Sequence, residues 1–145
     1  MPTVKDILAR KGQEVVTLVA AESVLNAARL MNERGIGGVV VTDEDGTMVG
    51  VFTERDILRR IVAEQRDPAA TKLRDVMTAP VQTCRPETSL EECIAVMTAR
   101  RIRHIPVLRE DRLDGIITSG DVLAYQVNEQ RDTIQYLNSY MFDLR

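Results

Sequence analysis

Apolar and polar positions follow two rhythms along this chain, and each rhythm occurs twice. In the first half, a short extended apolar run at residues 15–19 precedes Val24, Ala27, Ala28 and Met31, which recur at helical spacing. Two strand-like runs come next, "GGVVV" and "MVGVFT", on either side of the acidic turn "TDEDG". A charged helix is predicted over residues 55–63. The second half repeats the order. Residues 81–84 are extended, and Leu90, Cys93, Ile94 and Met97 mark a helix. "HIPVL" and "LDGIIT" flank the turn "REDR", and a last helix starts near Asp121. Ser23 and Ser89 stand where each first helix begins and read as N-caps. The predicted order is β-α-β-β-α, twice, an α+β fold.

The repeat extends to individual residues. Thr17 falls on Thr83, Ser23 on Ser89, Met31 on Met97, Ile36 on Ile102 and Val41 on Val107, at an offset of 66. After a one-residue deletion in the second hairpin, Gly50 falls on Gly115, Thr53 on Thr118 and Asp56 on Asp121. The leaders "VKDIL" and "LRDVM" also match. The chain divides into residues 1–66, 67–124 and a helical tail, 125–145. A lone copy buries little core, so the two copies are expected to pack on each other.

Composition narrows the function classes. The chain has 145 residues, of which 44% are apolar but only 3% aromatic, so its core is aliphatic. Its net charge of −3 gives no footprint for a polyanion, and nucleic acid is not expected as a partner. No apolar run approaches the roughly 20 residues that span a bilayer. No signal-peptide pattern opens the chain, so a cytoplasmic protein without membrane contact is expected. Cys84 and Cys93 fit no metal or redox spacing and are expected to be reduced packing residues.

The chemistry with most to say lies in "GVFTERDIL" and "GIITSGDVL". In each, a Thr ends a strand and an Asp comes three residues later, inside the next helix. A helix N-terminus offers free N–H groups and the positive end of the dipole, which favour phosphate. The Thr hydroxyl can join those donors, and the carboxylate can accept both hydroxyls of a ribose. Thr-x-x-Asp is equally an ordinary helix cap. Two features favour a ligand. A glycine precedes each strand end and leaves the backbone approachable. Arg55 lies beside one copy and Arg103 on the neighbouring strand of the other, either able to reach a phosphate.

These residues resemble a tandem pair of cystathionine-β-synthase (CBS) domains, a Bateman module. "IGGVVVTDEDGTMVGVFTERDIL" and "IRHIPVLREDRLDGIITSGDVL" carry the resemblance, with "VMTAPVQTCRPETSLEECIAVM" leading the second copy. The resemblance implies two motifs packed about a pseudo-two-fold axis with two clefts between them. It also implies adenosyl ligands such as AMP, ADP, ATP, NAD or S-adenosylmethionine. One cleft would use Gly37, Gly38, Thr53, Arg55 and Asp56. The other would use Arg103, His104, Pro106, Thr118 and Asp121. Thr83 and Thr17 would close the first and second cleft respectively. The Asp would hold ribose and the Thr would contact phosphate or ribose. Because Ser119-Gly120 replaces Glu54-Arg55, unequal clefts are expected.

Other candidates carry less. His104 is the single histidine and has no nucleophile or metal cluster around it, so it is expected to face ligand or solvent. "DEDG" lacks the later Glu of a calcium loop and reads as a hairpin turn. Val127, Ile134, Leu137 and Met141 could share one helix face, which would cover the module or meet a partner subunit. The expected function is non-catalytic: a regulatory module that binds adenosyl nucleotide, forms a homodimer and signals to an unknown regulated protein. The alternative is a structural dimerisation scaffold with vestigial clefts.

Overall fold

The computed structural model describes residues 1–143. Motif one contributes β1 (Thr17–Val19), α2 (Val24–Arg34), β2 (Gly38–Thr42) and β3 (Met48–Thr53), after α1 (Val4–Lys11). A single α turn, α3 (Glu54–Asp56), runs directly into a π-helical segment, Ile57–Val62. Motif two contributes α5 (Leu90–Arg100), β4 (His104–Arg109) and β5 (Arg112–Thr118), after the short α4 (Leu73–Val76). One helix, α6 (Ser119–Asp143), closes the chain. The fold is α+β: motif one is β-α-β-β-α, motif two keeps only a bridge at Cys84 in place of its first strand, and a C-terminal helix follows. The helical tail expected from residue 125 is part of α6, which starts at the second Thr-x-x-Asp and runs through that boundary.

Both serine caps form. Ser23 Oγ accepts from the Asn26 N–H and Ser89 Oγ from the Glu92 N–H, each at 3.1 Å. Such a cap contributes about 1 kcal/mol. The helices bury the faces that their periodicity marked: Val24, Ala27 and Met31 in α2, and Leu90, Cys93 and Met97 in α5.

The two sheets differ, and the sequence explains why. Motif one has three strands in the order β1-β2-β3, with β1 parallel to β2. Motif two has only the β4–β5 hairpin. In motif one the Val40 N–H donates to Val16 O and the Ala20 N–H to Thr42 O. The equivalent residues in motif two are Pro106 and Pro86, which have no N–H to give. Residues 81–84, expected to be extended, keep one ladder contact. It joins Cys84 to Val107 through Cys84 N–H to Pro106 O and Leu108 N–H to Cys84 O.

The leaders are exchanged. Leu73 and Val76 of α4 are buried in the core of motif one, against Val24, Met31, Val39, Phe52 and Ile61. Val4, Ile7 and Leu8 of α1 are buried in the core of motif two, against Leu90, Met97, Ile105 and Ile117. The backbone repeats the exchange. Val24 N–H donates to Thr71 O and Leu73 N–H to Glu22 O, while Val4 N–H donates to Thr88 O and Leu90 N–H to Pro2 O. The boundary at residue 66 therefore divides the sequence but not the packing.

Gly50 and Gly115 belong to this exchange. A Cβ on Gly50 would lie 2.5 Å from Met77 Sδ, and one on Gly115 would lie 2.8 Å from Leu8 Cδ2. These glycines admit the exchanged leaders. The expectation that they open the backbone to a ligand is corrected.

Candidate functional site

Thr53 ends β3, and its extended backbone turns directly into α3. The Asp56 carboxylate folds back to accept the Thr53 N–H at 3.0 Å, a capping-box geometry. The other carboxylate oxygen accepts the Thr78 hydroxyl at 2.9 Å and lies 3.7 Å from Arg60 Nε. Thr78 lies just after the exchanged leader α4, so two chain segments hold this buried acid. Thr118 and Asp121 repeat the arrangement, with Thr118 N–H to Asp121 Oδ2 at 2.9 Å.

A cleft of about 610 Å³ opens over the first of these acids. Gly37, Thr53, Arg55 and Asp56 of motif one line it, together with Arg100, Arg103 and His104 of motif two. Arg59, Arg60 and Thr78 complete its charged and hydroxyl wall. Five arginines face Glu54 and Asp56, an excess of three positive charges on a chain whose net charge is −3. Arg60 is held by Asp56 and by the Val76 and Met77 carbonyls. Arg55 donates to the Arg101 carbonyl at the end of α5 and so ties the two motifs across the cleft. Arg59, Arg100 and Arg103 have no carboxylate partner among the described residues. The wall can therefore receive an anion of several charges.

Several expected site residues lie elsewhere. Arg103 and His104 line the Thr53–Asp56 cleft, while His104 also stands opposite Thr118 and feels the Asp121 carboxylate, so the start of β4 borders both acids. The first residues of β2 and β4 meet there: a Cβ on Gly38 would stand 3.2 Å from the His104 ring. Pro106 is buried inside β4 opposite Ile116 and shapes the sheet. Thr17 is exposed on edge strand β1. Thr83 lines a separate groove in motif two and does not border the Asp56 cleft.

The second acid has a partner that the sequence hid. Lys11, the last residue of α1, places Nζ 2.6 Å from Asp121 Oδ2 and 2.9 Å from the Ile116 carbonyl. Both side chains are about three-quarters buried, so this pair is less screened than a surface pair. The basic group missing from "TSGD" thus comes from the exchanged leader. Thr78 does the equivalent work at Asp56, from just beyond the other leader.

His104 stands between these acids. Burial holds its pKa below the ordinary 6.5, opposed by Glu54 and Asp121 and assisted by Lys11 and Arg103. The folded chain therefore takes up the proton less readily than the unfolded chain, and stability falls as pH drops below about 6.5. In urea titrations, wild type is expected to lose stability relative to His104→Gln between pH 7 and 5. The difference is expected to stay constant above pH 7.5. A constant difference across the whole range would contradict the assignment.

A module of two paired motifs, with the helix-capping Asp56 beneath an inter-motif cleft, defines the class. The CBS domain family model matches residues 4–63 and 73–128, and the chain belongs to that family. It is similar to the mitochondrial CBS domain-containing protein CBSX3 of Arabidopsis thaliana, with 33% identity over 96% of this chain and 71% of the relative. A CBS-domain protein structure from Burkholderia ambifaria superposes with a TM-score of 0.85 and 39% identity, covering 88% of this chain and 96% of that one. The hexameric CBS-CP12 protein of bloom-forming cyanobacteria superposes with a TM-score of 0.74 and 29% identity, covering 85% and 70%. No helix among the described residues is long and apolar enough to cross a membrane. A relative with a mitochondrial name means that family membership alone does not select the expected cytoplasm.

Proposed function

We propose that this chain is a non-catalytic regulatory module that binds an adenosyl nucleotide (AMP, ADP, ATP or NAD) in the Asp56 cleft. The observation that carries the reading is the cleft wall. A capped carboxylate suited to a ribose diol lies beside five arginines suited to phosphate, and both motifs contribute. A ligand seated there contacts Arg55 and Arg59 from one side and Arg100 and Arg103 from the other. Their spacing then depends on occupancy, and that dependence is the signal offered to a regulated protein. Ligand binding to the folded state raises stability by RT ln(1 + [L]/Kd). Thermal unfolding with millimolar AMP, ATP and NAD is expected to show a saturable shift for at least one of them. No shift with any of them would overturn the proposal.

A second site at Asp121 would be the weaker one, because a ribose must displace Lys11 from the carboxylate. Lys11→Met is expected to raise adenosine affinity there severalfold, seen by calorimetry as a second binding event. Unchanged stoichiometry would contradict this ranking. Adenosine serves as the probe because it has no phosphate to lose a contact with the lysine.

The module pairs with a second copy. Leu58 and Val62 after Asp56 are 62% and 63% exposed, and their repeats Leu123 and Val127 after Asp121 are 62% and 38% exposed. The same apolar pair is thus presented twice, a pattern suited to an isologous interface. Light scattering is expected to give a dimer for wild type and a monomer for Leu58→Glu/Leu123→Glu. A wild-type monomer at high concentration would refute pairing. A dimer with no nucleotide response would instead favour the scaffold reading, for which the latched Asp121 speaks.

A further inference from the structure

Motif two holds a second cavity, about 730 Å³, away from the nucleotide cleft. Its origin is the missing strand. Pro86 and Pro106 withhold two ladder bonds, so the segment before α5 stands on β4 only at Cys84. Cys84 and Cys93 both line the cavity. Cys93 lies in the core of motif two, and Cys84 packs against that core. Their repeats in motif one are Leu18 and Ala27, which meet in the first core in the same way. Motif two has thus placed two free thiols at a strand–helix contact and opened a solvent cavity beside them.

We propose that Cys84 and Cys93 form an oxidisable dithiol, a modification site at which a hydroperoxide converts the pair to an intramolecular disulfide. The two thiols line the same cavity, and Cys84 packs against the core that holds Cys93. The neighbouring Cys93, with burial, pushes the Cys84 thiol above its usual range, and Cys84 in turn lowers Cys93. Cys93, on the cavity wall, is the thiol whose ionisation is favoured of the two and is the first nucleophile of the proposed step. The Cys93 sulfur attacks one peroxide oxygen. The O–O bond breaks, and the departing hydroxide takes a proton to leave as water. The Cys84 sulfur then attacks the resulting sulfenic acid, the S–O bond breaks, and a second water leaves with the Cys84 proton. The two sulfurs are oxidised together by two electrons, and one peroxide is reduced to two waters. The product ties the loosely paired segment to α5.

The test uses the wild-type chain. After a few equivalents of hydrogen peroxide, denaturation and alkylation, intact mass is expected to fall by about 2 Da with no alkyl group added. Dithiothreitol should restore both alkylation sites, and digestion should yield one peptide pair linking Cys84 to Cys93. Amides in residues 82–88 are expected to exchange more slowly in the oxidised chain. The outcomes that overturn the proposal are two thiols that remain alkylatable, a disulfide-linked dimer, or addition of oxygen without loss of the two hydrogens. Cys84→Ser provides the control. It is expected to gain oxygen at Cys93 and not to lose 2 Da, and a 2 Da loss in this variant would also overturn the proposal.

Discussion

Leu73→Ala is expected to destabilise the folded chain by about 2–5 kcal/mol and to loosen motif one first. Leu73 is fully buried and lies in sequence with motif two, yet its side chain packs with Phe52, Ile61 and Val24 of motif one. Hydrogen exchange should therefore accelerate in β2 and β3 before β4 and β5. Leu8→Ala should do the reverse, because Leu8 fills the space over Gly115 in motif two. If each substitution loosened the motif beside it in sequence, the exchanged-leader architecture would be wrong. Either variant is expected to lower cooperativity, since each core needs the helix that leads the other copy.

Asp56→Ala is expected to act on stability and binding together. The carboxylate is 5% exposed and satisfies the Thr53 N–H and the Thr78 hydroxyl. Removing it leaves both donors without their acceptor and costs about 1–3 kcal/mol. The same change removes the group proposed to hold the ribose, and nucleotide affinity is expected to fall at least tenfold. Asp56→Asn separates the two effects. Its amide oxygen can still accept from Thr53, so stability should recover in part. It cannot accept a diol at both atoms, so binding should stay weak. Denaturant titration and calorimetry on both variants provide the measurements. Normal binding by Asp56→Asn would reduce Asp56 to a helix cap.

The local structure was legible in the sequence. Ser23 and Ser89 cap the predicted helices, and Thr53–Asp56 and Thr118–Asp121 close the predicted boxes, because each depends on residues three apart. The features that escaped are long-range. Nothing local in "VKDIL" says that α1 will pack on the other copy, so Lys11 could not be matched to Asp121, 110 residues away. Thr78 escaped for the same reason. The repeat held the clue: once "LRDVM" and "VKDIL" are equivalent leaders, the residues just beyond each of them become candidate neighbours of an acid. Pro106, expected at a cleft, is buried within β4. Its missing N–H shapes a sheet edge, and the consequence is a two-stranded motif with a cavity beside it. Arg103 and His104, expected beside Asp121, border the Asp56 cleft as well, because the start of β4 pairs with Thr118 and also meets Gly37 and Gly38. The π-helical turn after Asp56 has no signature in its composition.

Whether both motifs build one nucleotide site around Asp56 is open to a direct calorimetric test. Purified wild-type chain is titrated with ATP, AMP and NAD, and the titrations are repeated on Asp56→Asn and Arg103→Ala. Saturable binding to wild type and weakened binding in both variants are expected, although the two residues lie in different motifs. Wild-type affinity retained by both variants, or no binding by the wild-type chain, would show that no such shared site exists.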